Sequence, residues 1–199
     1  MMNKLIGLTF ATHRLKVRFD AWADDNSGAT AVEFALIATP FFFLVFGLLE
    51  VALIFIISTT AEFGLNNASR AIRTGAFQNS PNATPAAFKA QVCSSLFSLV
   101  DCDDLELDVR SFTNFNNAVL PDAIDPNTGE INSGAFAFQP GQPSEIVIVR
   151  VFYEYNLATP FISAPLANFP TGNSRLVQAT IAFQNEPFNA PDPSIPTSP

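Results

Sequence analysis

Charge is scarce in this chain. Asp, Glu, Lys and Arg make up 14% of its 199 residues, where an ordinary soluble domain carries about a quarter. That deficit points to a segment lying in something other than water. Basic residues are the rarer sign, 10 against 18 acids, and the net charge of −8 excludes a general nucleic-acid footprint. Histidine occurs once, as His13, so a His-ligated metal site or a His-dependent triad is excluded from everything downstream. No internal repeat and no phosphate-cradling glycine loop is present, and no cofactor is expected.

What charge there is lies unevenly. Lys4, Arg14, Lys16 and Arg18 precede Gly28, whereas beyond residue 57 there are 6 basic and 13 acidic residues. Between them, residues 34–49 (FALIATPFFFLVFGLL) hold no charge, and after Glu50 the apolar run resumes to residue 57. Residues 31–57 as a helix would extend about 40 Å, ample for a hydrocarbon core of about 30 Å. A basic leader, an apolar run and an acidic remainder place the N-terminus in the cytosol and the C-terminal part outside. A cleaved secretory signal, with Thr59 and Ala61 at its cut, would need a shorter apolar region without Glu50. A buried soluble helix would need a polar face, which Phe41, Phe42, Phe43, Val45 and Phe46 deny it. The reading is therefore a single-pass, membrane-anchored chain. Glu33 falls near the cytosolic edge, while Glu50 lies deeper and must be neutralised, snorkel or face a partner. Pro40 removes one backbone donor, a defect that neighbouring helices can absorb.

Directly before the apolar run stands Gly28-Ala29-Thr30-Ala31-Val32-Glu33-Phe34-Ala35-Leu36, and within it Gly47-Leu48-Leu49-Glu50. Gly, four small or apolar residues, then Glu and an aromatic opening a long apolar helix resembles the processing site of type IV prepilins. Residues 28–77 resemble more narrowly the TadE-like minor pseudopilins of the tight-adherence (Tad) pilus system. NNASRAIRTGAF (66–77) is similar to the family's helix continuation, and Asn185-Glu186-Pro187 to a common ending of its last strand. The resemblance is dense over about 50 residues and sparse afterwards.

It implies cleavage between Gly28 and Ala29 by an aspartyl prepilin peptidase. A glycine there lets a protease cleft approach the backbone closely. The cut would free an α-amino group at Ala29, cationic at neutral pH with an ordinary pKa of about 7.7–8.0. Glu33 is four residues on, upon the same helical face. The amine could pair with Glu33 of its own chain or of a neighbour, fixing the stagger of packed helices. Glu33, Phe34 and Glu50 are thus the expected register residues. The plainer reading of Glu33 is an acid favoured by the dipole at a helix N-terminus.

Past the membrane, residues 58–76 continue the helix, with Phe63, Leu65, Ala68, Ala71, Ile72 and Ala76 near helical spacing and Gly75 close to its end. A second helix is expected over 85–100, capped by Thr84, with Pro85 in its first turn and Phe88, Val92, Leu96 and Leu99 as its apolar stripe. Cys93 and Cys102 either form one bridge in an oxidising compartment or remain buried thiols. Residues 105–112 alternate as a strand with one wet face. Residues 113–144 read as an elaborated loop or hairpin, in which Asp122, Asp125, Asn127 and Glu130 make either a cation loop or, more simply, a tight turn. Further strands are expected at 145–155 and 175–183, joined by a proline-bearing connector, and a proline-rich disordered tail from 187.

The expected architecture is α+β and pilin-like: a leader (1–28, cleaved), a transmembrane helix (29–57), its continuation (58–76), a head with a mostly antiparallel sheet (77–186) and a tail (187–199). The expected role is non-catalytic, in Tad pilus assembly at a bacterial inner membrane, with the head periplasmic or extracellular. Expected partners are other pilin or pseudopilin subunits, prepilin peptidase, the assembly machinery and lipid, but no nucleic acid. A generic signal-anchored binding or sensor module is the alternative. A tethered hydrolase is disfavoured because neighbouring strand acids such as Asp103, Asp104 and Glu106 should point to opposite faces.

Overall fold

A computed structural model describes residues 28–96, 100–159, 163–170 and 172–189. The leader and the proline-rich tail from 190 lie outside the described residues, as does Leu99. The fold is α+β. Helix α1 (Ala29–Arg73) is followed by α2 (Pro85–Cys93), strands β1 (Glu106–Phe112) and β2 (Ile146–Asn156), a short turn of helix α3 (Ser163–Leu166) and strand β3 (Ser174–Gln184). The chain divides into two compact units, residues 1–46 and 47–199.

α1 changes character along its length. Val32, Phe34, Leu36, Ile37, Phe41, Phe42 and Leu44 are all exposed, so the first unit presents apolar side chains around the whole helix. Pro40 sits inside α1 without ending it. In the second unit the pattern narrows to one stripe, Ile57, Ala61, Leu65, Ala68 and Ile72, at spacings of four, four, three and four. That stripe packs with Phe88 and Val92 of α2 and with Val109, Val147, Val149, Val151, Val177 and Ala179 of the sheet. Each Val, Leu, Ile or Phe among these, removed from water, contributes about 1.5–3 kcal/mol before its ordering cost. Gly64 permits the close crossing of the two helices, since a Cβ there would lie 2.8 Å from the Val92 carbonyl oxygen.

α1 stops at Arg73, three residues short of the expected end. Gly75 takes a positive φ of 76°, and the Phe77 N–H turns back to donate to the Ala71 carbonyl at 2.9 Å, a left-handed exit that glycine makes without strain. α2 is also shorter than expected, ending at Cys93. Thr84 does cap it, its Oγ1 accepting from the Ala87 N–H at 3.2 Å, and Pro85 occupies its first turn. After Cys93 the backbone tightens into three-residue turns, with Ser95 N–H on Val92 O and Leu96 N–H on Cys93 O. Leu96 still reaches the core, 1% exposed, from the turn rather than from helix. Cys93 and Cys102 are disulfide-bonded across a separation of nine residues. Closing so short a loop stabilises the fold by on the order of 2–3 kcal/mol.

The sheet is antiparallel in the order β1-β2-β3. Its strands lie within one residue of the expected boundaries. One expectation fails in part: the outer face of β1 is not wet at its middle. Asp108 is fully buried, because residues 113–144 fold back over it. Its Oδ1 accepts from Arg110 Nε and from the Ala137 N–H, both at 2.9 Å, and its Oδ2 from Arg150 Nε at 3.1 Å and Nη2 at 2.5 Å. Arg150 also donates to Pro121 O at 3.0 Å and lies over the ring of Phe152, which stacks on Phe136. Arg110 reaches Ala135 O. Two arginines thus tie the long loop to one carboxylate. Beyond β3, Asn185 donates to Pro140 O and Gln142 O, and the Glu186 N–H donates to Arg73 O, fastening the strand end to the end of α1.

Candidate functional site

Gly28 precedes the first turn of α1 and is exposed, and a Cβ added there would meet nothing within 4 Å. Its φ is not positive, so nothing among the described residues calls for glycine at this position. Ala29, Glu33 and Phe34 are exposed on the first turns of α1, Phe34 at 69%. The four-residue interval between Ala29 and Glu33 puts both on one helical face. Among the described residues, Gly28, Ala29, Glu33 and Phe34 stand together on the exposed start of α1.

Glu50 is placed differently. It is 3% exposed, and its donors come from its own chain. Oε1 accepts from the Ala158 N–H at 3.2 Å; Oε2 accepts from the Thr159 N–H at 3.1 Å and from Thr159 Oγ1 at 2.6 Å. The Tyr155 hydroxyl adds a further hydrogen bond. Burial pushes the Tyr155 phenol up to about 12, with the Glu50 hydrogen bond and charge adding to it, so Tyr155 stays a donor. A carboxylate out of water is costly unless its lone pairs are filled. Four donors from residues 155–159 fill them here without a counter-cation. Sequence reasoning singled out Glu50 but missed Thr159 and Tyr155, which lie more than a hundred positions away with no local signal.

Replacing Glu50 by Ala would leave two backbone N–H groups and two hydroxyls without their acceptor, a loss of about 1–3 kcal/mol. The Ala158 and Thr159 amides should then exchange their protons about 10- to 100-fold faster in the detergent-solubilised chain. Unchanged exchange at both amides would mean the carboxylate does not hold this segment.

Asp125 to Gly129 is a tight turn: Asp125 Oδ1 accepts from the Asn127 N–H at 2.8 Å, and Ile124 bridges Ile131 behind it. Asp103, Asp104, Glu106, Glu130 and Glu154 line one open recess. Strand alternation would have separated the first three, but Asp103 and Asp104 belong to the turn before β1 rather than to the strand. Among the described residues no group of three or more His, Cys, Asp or Glu is arranged to hold a metal ion.

α1 is long and apolar enough to cross a membrane, with a mean hydropathy of 2.7 over its most apolar stretch. Comparison with curated proteins and with solved structures gives no match. Comparison with family models does: residues 28–70 match the model described as TadE-like protein, and the remainder of the chain lies outside that match. Gly28, Ala29, Glu33, Phe34 and Glu50 all lie within the stretch that is similar to TadE-like proteins.

Proposed function

We propose that the chain is a non-catalytic minor pseudopilin-type component of Tad pilus assembly, held by α1 in a bacterial inner membrane with its sheet domain outside. Prepilin peptidase cuts it between Gly28 and Ala29. The observation that carries this reading is the coincidence of an exposed, sterically unneeded glycine with the first turn of a helix whose apolar side chains are exposed on every side. The freed Ala29 amine pairs with Glu33 of its own or a neighbouring chain. Phe41, Phe42 and Phe46 supply apolar surface to lipid or to a packed helix. The Cys93–Cys102 bridge supports export, because such bridges persist in oxidising compartments.

Mass spectrometry of the mature protein from pilus-expressing cells tests the cut: the first residue is expected to be Ala29, and an intact leader on the assembled protein would overturn the proposal. Glu33→Ala is expected to insert normally, since it removes an exposed charge from an apolar helix, yet to lower pilus formation about tenfold or more, as loss of a charge-assisted pair at low dielectric should. Normal fibre numbers by electron microscopy in that variant would rule the pairing out.

A further inference from the structure

The TadE-like segment ends in a feature that membrane anchoring does not use. Asn66, Ser69, Arg70 and Arg73 recur at intervals of three, one and three residues, one face of α1. With Ile181 and Phe183 of β3 they line a cavity of about 160 Å³. Ser69 is 1% exposed, and its hydroxyl has no hydrogen-bond partner. Helical serines commonly return their hydroxyl to the carbonyl one turn back; this one does not, and a buried hydroxyl left unsatisfied costs about 1–3 kcal/mol. Arg73 is half engaged, its Nε 3.4 Å from Glu186 Oε1. The Arg70 side chain has no ion-pair or hydrogen-bond partner among the described residues. Two guanidinium groups and an orphan hydroxyl therefore converge in a protein whose net charge is −8.

The cavity opens beside an unpaired strand edge. β3 bonds to β2 along one side throughout its length. On its other side the Ser174 carbonyl accepts from the Phe169 N–H, and the Leu176 N–H donates to Asn168 Oδ1. Backbone direction alternates along a strand, so Gln178, Thr180 and Ala182 also aim N–H and C=O outward, and there they meet no partner among the described residues. Ile181 and Phe183 are only partly buried where the core reaches this edge.

We infer that the groove between β3 and the Asn66–Arg73 face of α1 docks an extended segment of a partner protein, one bearing a carboxylate. The segment would add to the outer edge of β3 through backbone hydrogen bonds. Every second side chain would then face α1, so apolar residues cover Ile181 and Phe183 while the carboxylate accepts from Arg70 and the Ser69 hydroxyl. An acidic residue is selected because the groove offers donors and positive charge but no free acceptor of comparable strength. This inference does not depend on cleavage at Gly28.

The test uses the full chain in detergent micelles and two synthetic five-residue peptides, alike except for glutamate or glutamine at the centre, flanked by valines and threonines. Nitrogen-15 NMR follows the Arg70 Nε–H and the Gln178, Thr180 and Ala182 amides. The glutamate peptide is expected to shift all four signals, and to bind at least about tenfold more weakly to Arg70→Ala, an exposed site whose truncation leaves the core intact. Ser69→Ala should weaken it by a smaller factor. The glutamine peptide should also bind at least about tenfold more weakly. Equal binding of the two peptides would overturn the carboxylate assignment. Silence of the strand amides at millimolar peptide would overturn the docking groove. Sodium acetate reproducing the whole pattern would reduce the site to a small-anion pocket and overturn it as well.

Discussion

Asp108→Ala is expected to be the most damaging single substitution in the sheet domain. It strips the shared acceptor from Arg150 and Arg110 while leaving the Arg150 guanidinium under the 113–144 loop, 6% exposed. Breaking a buried pair in this way costs about 3–5 kcal/mol, because the surviving charge stays buried without compensation. Total stabilities of about 5–15 kcal/mol leave little margin for that. A fall in melting temperature of about 10 °C or more should follow, with the 113–144 loop becoming the first site of proteolysis. Asp108→Asn keeps an acceptor but turns a donor toward the guanidinium groups, so it should fall between the two. An Asp108→Ala protein that melts with the wild type would show that the loop is held by something other than this cluster.

Gly28→Leu is expected to do the reverse, leaving the fold untouched while blocking processing. The reasoning is steric on both sides. Among the described residues an added side chain meets open space and an ordinary backbone conformation, so surface substitution should change stability by no more than about 0.5 kcal/mol. In a protease cleft the same side chain would hold the scissile bond away from the catalytic groups, and even a small misplacement of reacting atoms costs about 100-fold in rate. The measurable outcome is a protein that inserts and melts normally but migrates as the uncut precursor. Cleavage at the wild-type rate would remove Gly28 from the site; a misfolded protein would instead give it a structural role that the geometry does not show.

Much of the fold was legible in the sequence because the relevant signals are local. The strands at 146–156 and 174–184 follow from alternation, and the start of α2 follows from Thr84 and Pro85. The apolar run at 34–49 predicts its own exposure, since a helix apolar on every side has no face to turn to water. What escaped is long-range. Asp108 and Arg150 are 42 residues apart, and a charged residue on the alternate face of a strand reads as solvated until a loop is known to cover it. Thr159 and Tyr155 owe their importance to Glu50, 109 positions from Thr159, a pairing that only the folded chain brings about. The helix ends were misjudged for a different reason: apolar spacing persists past Cys93 into Leu96, but the tightening of the turn there is not a matter of hydrophobicity.

The two borders of the sheet differ in one respect with wide consequence. The outer side of β1 is already occupied at its middle, where Val109 donates to Ala137 O at 2.8 Å and accepts from the Gln139 N–H at 2.8 Å. The opposite border, from Gln178 to Ala182, has no such cover among the described residues. Of the two borders, the one at β3 is therefore the more receptive to a pairing strand among the described residues. Repeated edge-to-edge addition, the hazard of exposed strand edges, is thereby opposed at the middle of β1, where an incoming strand would have to displace the cover over Val109.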